Sequence, residues 1–463
     1  MDKNRASTIR KRGIALMFTA VSLVFIVPMV GLAVDAGILY TVKGKLQTAV
    51  DAAALSAASA LSRGDTDQEQ QAAAISEAMA FTNLNFPSGY FGVSTPYFGP
   101  GNDWVSINES VANERIVTVT ASVNAPLYFL RWLNASTTTV TASATAVRRD
   151  TNVVFVMDRS GSLAVSGSCA PLKLDAISFV DKFANGTDNV GLVTFATSSN
   201  NDFVTATNFQ TASPSVPTIL NSVNCTGGTN TAEGLTLGYQ QLVSLNEPNA
   251  LNVILLFTDG YPNTFTGTFN ILSSSTCNSK TPKTGVLAAT YVSPNFTSPV
   301  GQDGLFNPQA GTQPMSSDLN LISNDTGCYF ASNYSNVSQD IQYIPTSDYY
   351  GNQINTGYQP LDYSGSNIKV DPTSTQNAGY NAADSASLTI RQSSTIPNIR
   401  VYTIGLGNAG GVSADFLERV ANDPRASNYN SSYPTGEYYY AATAADLADA
   451  FNTIASEILH LSN

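Results

Sequence analysis

The apolar residues of this sequence begin as one unbroken block. Residues 13–34 carry no charged side chain, and a helix of that length rises about 33 Å, enough to cross the hydrocarbon core of a bilayer. Five Lys or Arg residues lie within residues 1–12, and basic flanks of this kind stay in the cytoplasm. The pattern predicts a cytoplasmic tail over 1–12, a single-pass transmembrane helix over 13–34 in the cytoplasmic membrane, and a periplasmic or otherwise extracytoplasmic remainder. The alternative is a cleaved signal peptide, because residues 31–33 (Gly-Leu-Ala) offer a small-residue cleavage site.

Helical spacing continues beyond the block. Leu46, Val50 and Ala53 fall on one stripe at spacings of four and three, which predicts that the first helix runs on through residues 35–61. Small residues on this stripe let another helix approach closely, and a second helix is predicted over residues 65–82.

A period of two follows the helices. Apolar residues alternate with Thr or Ser over 115–123 and 137–149, which is the pattern of strands in an antiparallel sheet. A long helix followed by a small sheet is the outline of a pilin-like α+β module, which we place at residues 35–148.

In the rest of the chain, short apolar runs alternate with helical patterns. The clearest helix is Thr231–Leu245, and a capping box of Thr443 and Asp446 starts a final helix. Runs that are apolar throughout are typical of strands buried on both faces of a sheet. This alternation predicts a doubly wound, Rossmann-like α/β domain over 149–463. The apolar runs are residues 152–157, 189–196, 252–258 and 399–407.

The stretch 263–381 departs from this alternation. It is rich in Ser, Thr, Asn, Gly and Tyr, and a structureless loop of that length is unusual inside a domain. We therefore predict an insertion subdomain of short strands, with strand-like runs at 287–292 and 327–332. The insertion either shapes or shields the site described below, and its tyrosines form either a contact surface or a small core.

Charge and composition narrow the classes of function. The formal net charge is −12, and no Lys or Arg cluster larger than a pair follows the first twelve residues. This argues against a nucleic-acid partner, because phosphate binding needs a basic face. The single histidine, His460, is poorly placed for a Ser-His-Asp hydrolase, and no P-loop, Gly-x-Ser-x-Gly elbow or zinc spacing occurs. We predict neither an enzyme nor a small-molecule substrate.

Five oxygen-bearing side chains are predicted to meet at one edge of the sheet. Asp158, Ser160 and Ser162 follow the first apolar strand, Thr229 precedes a helix, and Asp259 follows another strand. The carboxyl ends of parallel strands share an edge. Carboxylate and hydroxyl oxygens are hard ligands that suit Mg²⁺ or Mn²⁺. One alternative is a purely structural turn; another is a dehalogenase-type phosphatase, which needs a second Asp where Ser160 stands.

These segments resemble the metal-ion-dependent adhesion site of von Willebrand factor A domains. DRSGS matches the family's Asp-x-Ser-x-Ser, GGTNT supplies Thr229 and FTDG supplies Asp259, in the family's order. The resemblance implies that Ser160, Ser162 and Thr229 touch one Mg²⁺ or Mn²⁺ ion, while Asp158 and Asp259 act directly or through water. It also implies that a carboxylate of a protein partner completes the coordination.

The N-terminal residues resemble a second family. The Arg-Lys-Arg-Gly entry at 10–13, Asp35, Tyr40 and the run Asp51-Ala-Ala-Ala-Leu55 are similar to TadE/TadG-like proteins of the tight-adherence (Flp) pilus assembly system, with the resemblance covering residues 10–148. Processed pilin-like members carry a Glu inside the apolar run, and none occurs here before Glu69. The resemblance therefore implies a stationary anchor rather than a polymerising subunit.

Four cysteines remain, and outside the cytoplasm an even number indicates disulfides. They are Cys169, Cys225, Cys277 and Cys328, and three connectivities are possible. We favour Cys169–Cys225, because both lie next to predicted ligand loops that the bridge would brace. Cys277–Cys328 would then staple the insertion.

These patterns together predict a membrane-anchored protein with its bulk outside the cytoplasm. We expect it to bind an acidic residue of a protein partner, a pilus or secretion component, through one Mg²⁺ site during pilus assembly or surface adhesion. Two alternatives stay open: a metal-independent structural anchor of a periplasmic complex, and a direct adhesin for surface ligands.

Overall fold

The structure, a computed structural model, describes residues 3–462 with internal gaps. Outside the described residues lie 1–2, 65, 100, 102, 112, 134–135, 271–281, 291–298, 300, 307–340, 342, 356, 408–412 and 463. The chain forms two compact units, Met1–Arg148 and Arg149–Ser462, and each is described by itself.

The first unit is built along one long helix. Helix α1 spans Lys3–Ala60 and includes both the predicted transmembrane segment and Pro28. Over residues 16–34 its apolar side chains are exposed, with Phe25 at 67%. Among the described residues this is the one helix that is long and apolar enough to cross a membrane. Beyond Asp35 the predicted stripe is buried, because Leu46 and neighbouring small residues pack inside the unit.

The second helix and both predicted strands of the small sheet are present. The helix is displaced by two to three residues toward the C-terminus, β2 is longer at both ends and β3 has its predicted bounds, whereas β1 was not predicted. In strand β2, Val117, Val119, Ala121 and Val123 are buried while the intervening Thr and Ser are not, so alternate residues pack against α1. The sheet has the antiparallel order β1-β2-β3. The elements are α2 (Asp67–Asn85), β1 (Val105–Val111), β2 (Glu114–Pro126) and β3 (Thr137–Arg149).

The second unit alternates strands and helices as predicted. The helix at Thr231–Leu245 has its predicted bounds, and Thr443 and Asp446 form the expected capping box. The elements are β4 (Thr151–Asp158), α3 (Gly161–Val165), α4 (Cys169–Val180), β5 (Asn189–Phe195), β6 (Ser199–Ala206), α5 (Val216–Ser222), α6 (Thr231–Leu245), β7 (Leu251–Thr258), β8 (Thr264–Phe269), β9 (Lys283–Thr290), β10 (Gly301–Phe306), β11 (Tyr363–Ser364), β12 (Asn367–Ile368), α7 (Pro372–Arg391), β13 (Arg400–Leu406), α8 (Ala414–Ala421), β14 (Tyr438–Ala441) and α9 (Leu447–Ser462).

A six-stranded sheet lies between two helical layers. Its order is β14-β13-β7-β4-β5-β6, with parallel neighbours except for the antiparallel edge strand β6. Strand β4 is buried throughout, and successive residues point to opposite faces. Val154 and Val156 pack in the layer of α6, α7 and α8, whereas Val153 and Phe155 pack with α4, α5 and α9. The predicted doubly wound α/β fold is confirmed.

The insertion differs from the prediction in two ways. Its strands β8, β9 and β10 form a three-stranded antiparallel sheet, but Phe265 and Leu287 of that sheet belong to the same hydrophobic cluster as the central strands. The described part of the insertion therefore shares the core of the main domain and does not form the separate subdomain that was predicted. The strand predicted at 287–292 lies at Lys283–Thr290, and the one at 327–332 lies outside the described residues.

The predicted end of the insertion at 381 is wrong, because it falls inside α7. This helix starts at Pro372, and the side chain of Asp371 accepts a hydrogen bond from the Ser374 backbone N–H as the helix cap. Its polar composition resembles that of the insertion before it and hides the helix from a composition argument. The insertion ends at Asp371.

The tyrosines of the insertion are divided between interior and surface. Tyr358 packs against Tyr380 and Phe416, and the guanidinium of Arg419 lies over its ring. Tyr349, by contrast, is 56% exposed.

Candidate metal centre

Two acids are brought together by neighbouring strands. Strands β4 and β7 pair in parallel with Met157 opposite Phe257, so Asp158 and Asp259 follow at the same edge. Asp158 is fully buried, and Asp259 is 9% exposed. The hydroxyl of Thr258 donates to Asp158 Oδ2 at 2.5 Å, which fixes the first acid against the end of the second strand.

A tight loop places two hydroxyls beside Asp259. The Ser160 backbone N–H donates to Asp158 Oδ1 at 2.7 Å, an Asx turn that reverses the chain after β4. Ser162 Oγ donates to Asp259 Oδ1 at 2.6 Å, and Ser160 Oγ lies 3.4 Å from the same oxygen. The two serine oxygens are 3.0 Å apart. Three oxygens from two chain segments thus form a compact triangle.

Thr229 approaches the same place from the loop before α6. The Gly161 backbone N–H donates to the Gly227 carbonyl at 2.9 Å. This bond joins the loop that carries Ser160 and Ser162, the serine loop, to the loop that carries Thr229, the threonine loop. A side-chain carbon built on Gly260 would lie 3.6 Å from Thr229 Oγ1 and 3.7 Å from Ser162 Oγ. All five predicted side chains therefore gather at one rim of the sheet.

The electrostatics of the rim are unfavourable for two bare carboxylates. Burial raises the pKa of Asp158. Burial, and then the negative charge of Asp158, raise the pKa of Asp259. Within the described residues no Lys or Arg forms an ion pair with either acid. A group of this kind gains from a cation, since positive charge favours ionisation of both acids.

The disulfide predicted beside the site is confirmed. Cys169 and Cys225 are bonded, with Cα atoms 6.1 Å apart. Cys169 begins α4, just after the serine loop, and Cys225 precedes the threonine loop. The bridge therefore ties together the two segments that supply the hydroxyls. Cys277 and Cys328 lie outside the described residues.

Asn263 is a contributor that the sequence reasoning missed. Its side-chain oxygen accepts from the Thr229 backbone N–H at 2.6 Å, and its own N–H donates to the Thr229 carbonyl at 3.1 Å. On its other side it exchanges two hydrogen bonds with Ala289 of β9. Asn263 thus connects the insertion sheet to a predicted ligand. Its only sequence signal is its position shortly after Asp259.

Glu233 is the second missed contributor. It is buried in the first turn of α6, where an acid normally indicates nothing beyond helix capping. Burial raises its pKa, and hydrogen-bond donors from several segments oppose that shift. We call this group the Glu233 cluster. Its donors are Ser198 Oγ, the Ser199 N–H, Asn230 Nδ2, Thr266 Oγ1 and Tyr350 OH, at 3.1, 3.2, 2.9, 3.1 and 2.7 Å.

Two segments of the chain match models of known protein families. Residues 152–290 match the von Willebrand factor type A domain, and residues 13–60 match the putative Flp pilus-assembly TadE/G-like family. The uncharacterized protein YfbK of Escherichia coli (strain K12) is 32% identical over 109 residues, which cover 24% of this chain and 18% of YfbK. The match therefore spans less than a fifth of that relative.

Some solved structures of pilus proteins are similar to this chain at low identity and low TM-score. The PilB minor pilin from Streptococcus sanguinis is 16% identical, with a TM-score of 0.36 over 77% of each chain. The vWF domain of the type V pili tip protein Mfa5 from Porphyromonas gingivalis is 17% identical, with a TM-score of 0.36 over 68% of this chain and 96% of that one. Similarity of this degree says nothing of function. The family models thus match a TadE/G-like segment at the N-terminus and a von Willebrand factor type A segment in the second unit.

Proposed function

We propose that this chain is a membrane-anchored, extracytoplasmic protein-binding component of pilus assembly or surface adhesion, and that it holds one Mg²⁺ or Mn²⁺ ion at the sheet rim. The observation that carries the proposal is the triangle of Ser160 Oγ, Ser162 Oγ and Asp259 Oδ1, within 3.4 Å of one another. Asp158 and Thr229 stand beside it.

The donor set fits a hard divalent cation. Every candidate ligand is an oxygen, and two carboxylates match the charge of such an ion. Asp158 is held by the Ser160 N–H and the Thr258 hydroxyl, so its position is fixed before any ion arrives. Asn263 holds the Thr229 backbone in the same way. The chain therefore offers an arranged site rather than a loose group of acids.

A bound ion would supply a Lewis acid that accepts an oxygen ligand from outside the chain. Ser160, Ser162 and Thr229 would contribute neutral ligands, which leave more positive charge on the ion than carboxylates do. A carboxylate of a protein partner is the ligand that best matches that charge. Because the net charge of the chain is −12, an acidic partner is attracted only at the ion, so binding should depend strictly on the cation.

The N-terminal helix supplies the anchor in this proposal. Its apolar side chains over residues 16–34 are exposed, whereas the same helix is packed on one face beyond Asp35. Exposed apolar surface of this extent is unstable in water and suits a bilayer. The basic residues within 1–12 orient the helix with its N-terminus in the cytoplasm.

The test is cation binding by the full chain in detergent, with Mn²⁺ followed by electron paramagnetic resonance and competed with Mg²⁺. We expect Ser162→Ala to weaken Mn²⁺ binding by more than about tenfold. The matched control is Ser166→Ala, since Ser166 lies on the next turn and its hydroxyl bonds only to Leu163 and Ser168 among described partners.

Capture of pilus components from membrane extracts should then require Mg²⁺ and be lost with EDTA and in Ser162→Ala. Equal capture with and without EDTA would contradict the metal mechanism and favour the metal-independent anchor. Binding of the purified protein to surfaces, without capture of pilus components, would favour a direct adhesin.

A further inference from the structure

The chain carries an unusual exposed aromatic segment between β2 and β3. We call residues 128–133 the aromatic loop; it ends in a short 3-10 helix, Leu130–Leu133. Trp132 is 83% exposed, Phe129 45% and Tyr128 42%. The other tryptophan of the chain, Trp104, is only 5% exposed, so the first unit is able to bury an indole elsewhere. The loop presents its aromatic side chains outward.

The aromatic loop packs against the predicted membrane span. Gly31 is buried within the otherwise exposed apolar part of α1, and a side-chain carbon built there would lie 2.8 Å from Phe129 Cβ. Val30 and Leu32, on either side of it, are 55% and 53% exposed. Phe129 is thus the group that covers the helix at this level, and only a glycine leaves room for it.

This contact fixes the depth of the loop relative to the span. Gly31 lies three residues before Val34, the last residue of the predicted transmembrane segment, which corresponds to about 4.5 Å along the helix axis. If the helix up to Val34 lies in hydrocarbon, Phe129 lies at the level of the hydrocarbon boundary. The loop cannot then be wholly in water.

Asp35 makes the backbone of the loop suitable for that position. Its carboxylate is 2% exposed and accepts the backbone N–H groups of Tyr128, Phe129 and Leu130 at 2.9, 3.0 and 2.8 Å. Backbone donors near hydrocarbon are costly unless they are paired. One acid, placed just outside the span, pairs all three and fastens the loop to the helix.

We propose that the aromatic loop rests in the extracytoplasmic lipid interface as a second membrane contact beside the transmembrane helix, an inference that rests on the proposed membrane anchoring. Trp and Tyr are enriched at this interface because their rings are apolar with one polar group. Arg131 is exposed in the same turn and would meet lipid phosphate.

The second contact constrains the depth and the tilt of the helix. The tilt of a single span is set by neighbouring helices and interfacial anchors. With Trp132 and Phe129 held in the interface on one side, α1 can tilt only as far as the loop stays at the level of the lipid headgroups.

The experiment uses the full chain in lipid bilayer nanodiscs and quenching of tryptophan fluorescence by lipids brominated on their acyl chains. Because the chain has two tryptophans, Trp104→Phe leaves Trp132 alone and Trp132→Phe leaves Trp104 alone. Brominated lipid should reduce Trp132 emission by about twofold or more, as expected of an interfacial indole, and leave Trp104 emission unchanged. The difference in emission between the unaltered chain and Trp132→Phe also gives the quenching of Trp132 by brominated lipid, and it does so without replacing buried Trp104.

A third variant separates this inference from the anchoring on which it rests. Phe25→Trp, in a chain that lacks both native tryptophans, reports on the span itself, because Phe25 is near its middle and 67% exposed. If Phe25→Trp is quenched and Trp132 is not, the helix spans the bilayer and the loop proposal is wrong. If neither is quenched, the membrane anchoring fails and the inference fails with it. If Trp132 is quenched by iodide in water but not by brominated lipid, the loop lies in water and the lipid proposal is overturned.

Discussion

Asp35 and Asp259 are both buried acids, but their surroundings differ in kind. Asp35 accepts three backbone N–H groups of the aromatic loop. Asp259 faces another acid, Asp158, and has serine hydroxyls as its neighbours. Backbone donors are fixed in direction, whereas hydroxyls can rotate and turn their lone pairs toward an ion.

The difference separates a structural acid from a binding acid. Asp35 is fully used by its own chain, so removing it should harm the fold. Asp259 shares its oxygens with groups that are themselves ligands for hard cations, and its ionised form is disfavoured by burial and by Asp158. Removing Asp259 should weaken cation binding and increase the stability of the folded protein.

The largest expected effect tests the binding half of this contrast. Asp259→Asn removes one negative charge and replaces one carboxylate oxygen by an amide NH2, which cannot bind a cation. We therefore expect Mn²⁺ affinity to fall by about 100-fold or more, roughly 2.7 kcal/mol. In EDTA the same variant should melt at a higher temperature than the unaltered chain, because the repulsion with Asp158 is gone. Calorimetry with and without Mn²⁺ measures both. Asp449→Asn, at an exposed position on α9, is the control and should change neither; a lower melting temperature for Asp259→Asn in EDTA would contradict the contrast.

The next effect tests the structural half. Asp35→Ala leaves three backbone N–H groups without their acceptor, so the melting temperature of the first unit should fall by about 5 °C or more, with Mn²⁺ affinity unchanged. Asp51→Ala is matched to it, since Asp51 is an exposed acid on the same helix and its side chain bonds only to Gln47 among described partners. An equal loss in both variants would show that the effect is general to the helix.

A smaller effect is expected where the insertion meets the site. Asn263→Ala frees the Thr229 backbone from its side-chain acceptor, and we expect Mn²⁺ affinity to fall about tenfold, as is usual for groups that orient a ligand. Asn270→Ala, exposed at the end of β8, is the control. An unchanged affinity in Asn263→Ala would remove Asn263 from the site and leave it a purely structural residue.

The smallest effect is on pH dependence. The pKa of Asp259 is raised in the folded protein, so the folded state binds a proton here more tightly than the unfolded state does. The resulting stability is fully present below the ordinary carboxyl pKa of 3.8 and is lost as pH rises through the pKa that Asp259 has in the folded protein. In EDTA the melting temperature should therefore fall by a few degrees, on the order of 2–4 °C, as pH rises through that interval. The shift should be absent in Asp259→Asn and reduced by saturating Mg²⁺. The opposite result would be a melting temperature in EDTA that rises with pH over the same interval when it is compared with that of Asp259→Asn. It would mean that the pKa of Asp259 is not raised in the folded protein.

Sequence reasoning succeeded where one local pattern decides the structure. The apolar runs gave the central strands, and the rule that parallel strands end at one edge brought Asp158 and Asp259 together across a long stretch of sequence. The Cys169–Cys225 bridge followed from the same edge argument. In each case the periodicity of the chain and the topology of the sheet were sufficient.

Sequence reasoning failed where contacts between distant segments of the chain determine the structure. Tyr350 meets Glu233 across 117 positions, and no local pattern around either residue indicates that pairing. Helix α7 was hidden by its polar composition, although the cap of Asp371 and Pro372 was readable. The insertion looked like a separate subdomain because sequence cannot show which core an apolar side chain joins.

The Glu233 cluster limits which truncated forms of the protein can fold. Thr266 and Tyr350 come from the insertion, and both donate to the carboxylate of Glu233. The same carboxylate accepts from Asn230, whose side-chain oxygen caps the start of α6. Deleting the insertion would strip that buried acid of two donors and uncover apolar residues of the shared core. A version without the insertion should therefore aggregate even if Glu233 is replaced as well, so soluble fragments are better sought by cutting at the boundary near Arg149.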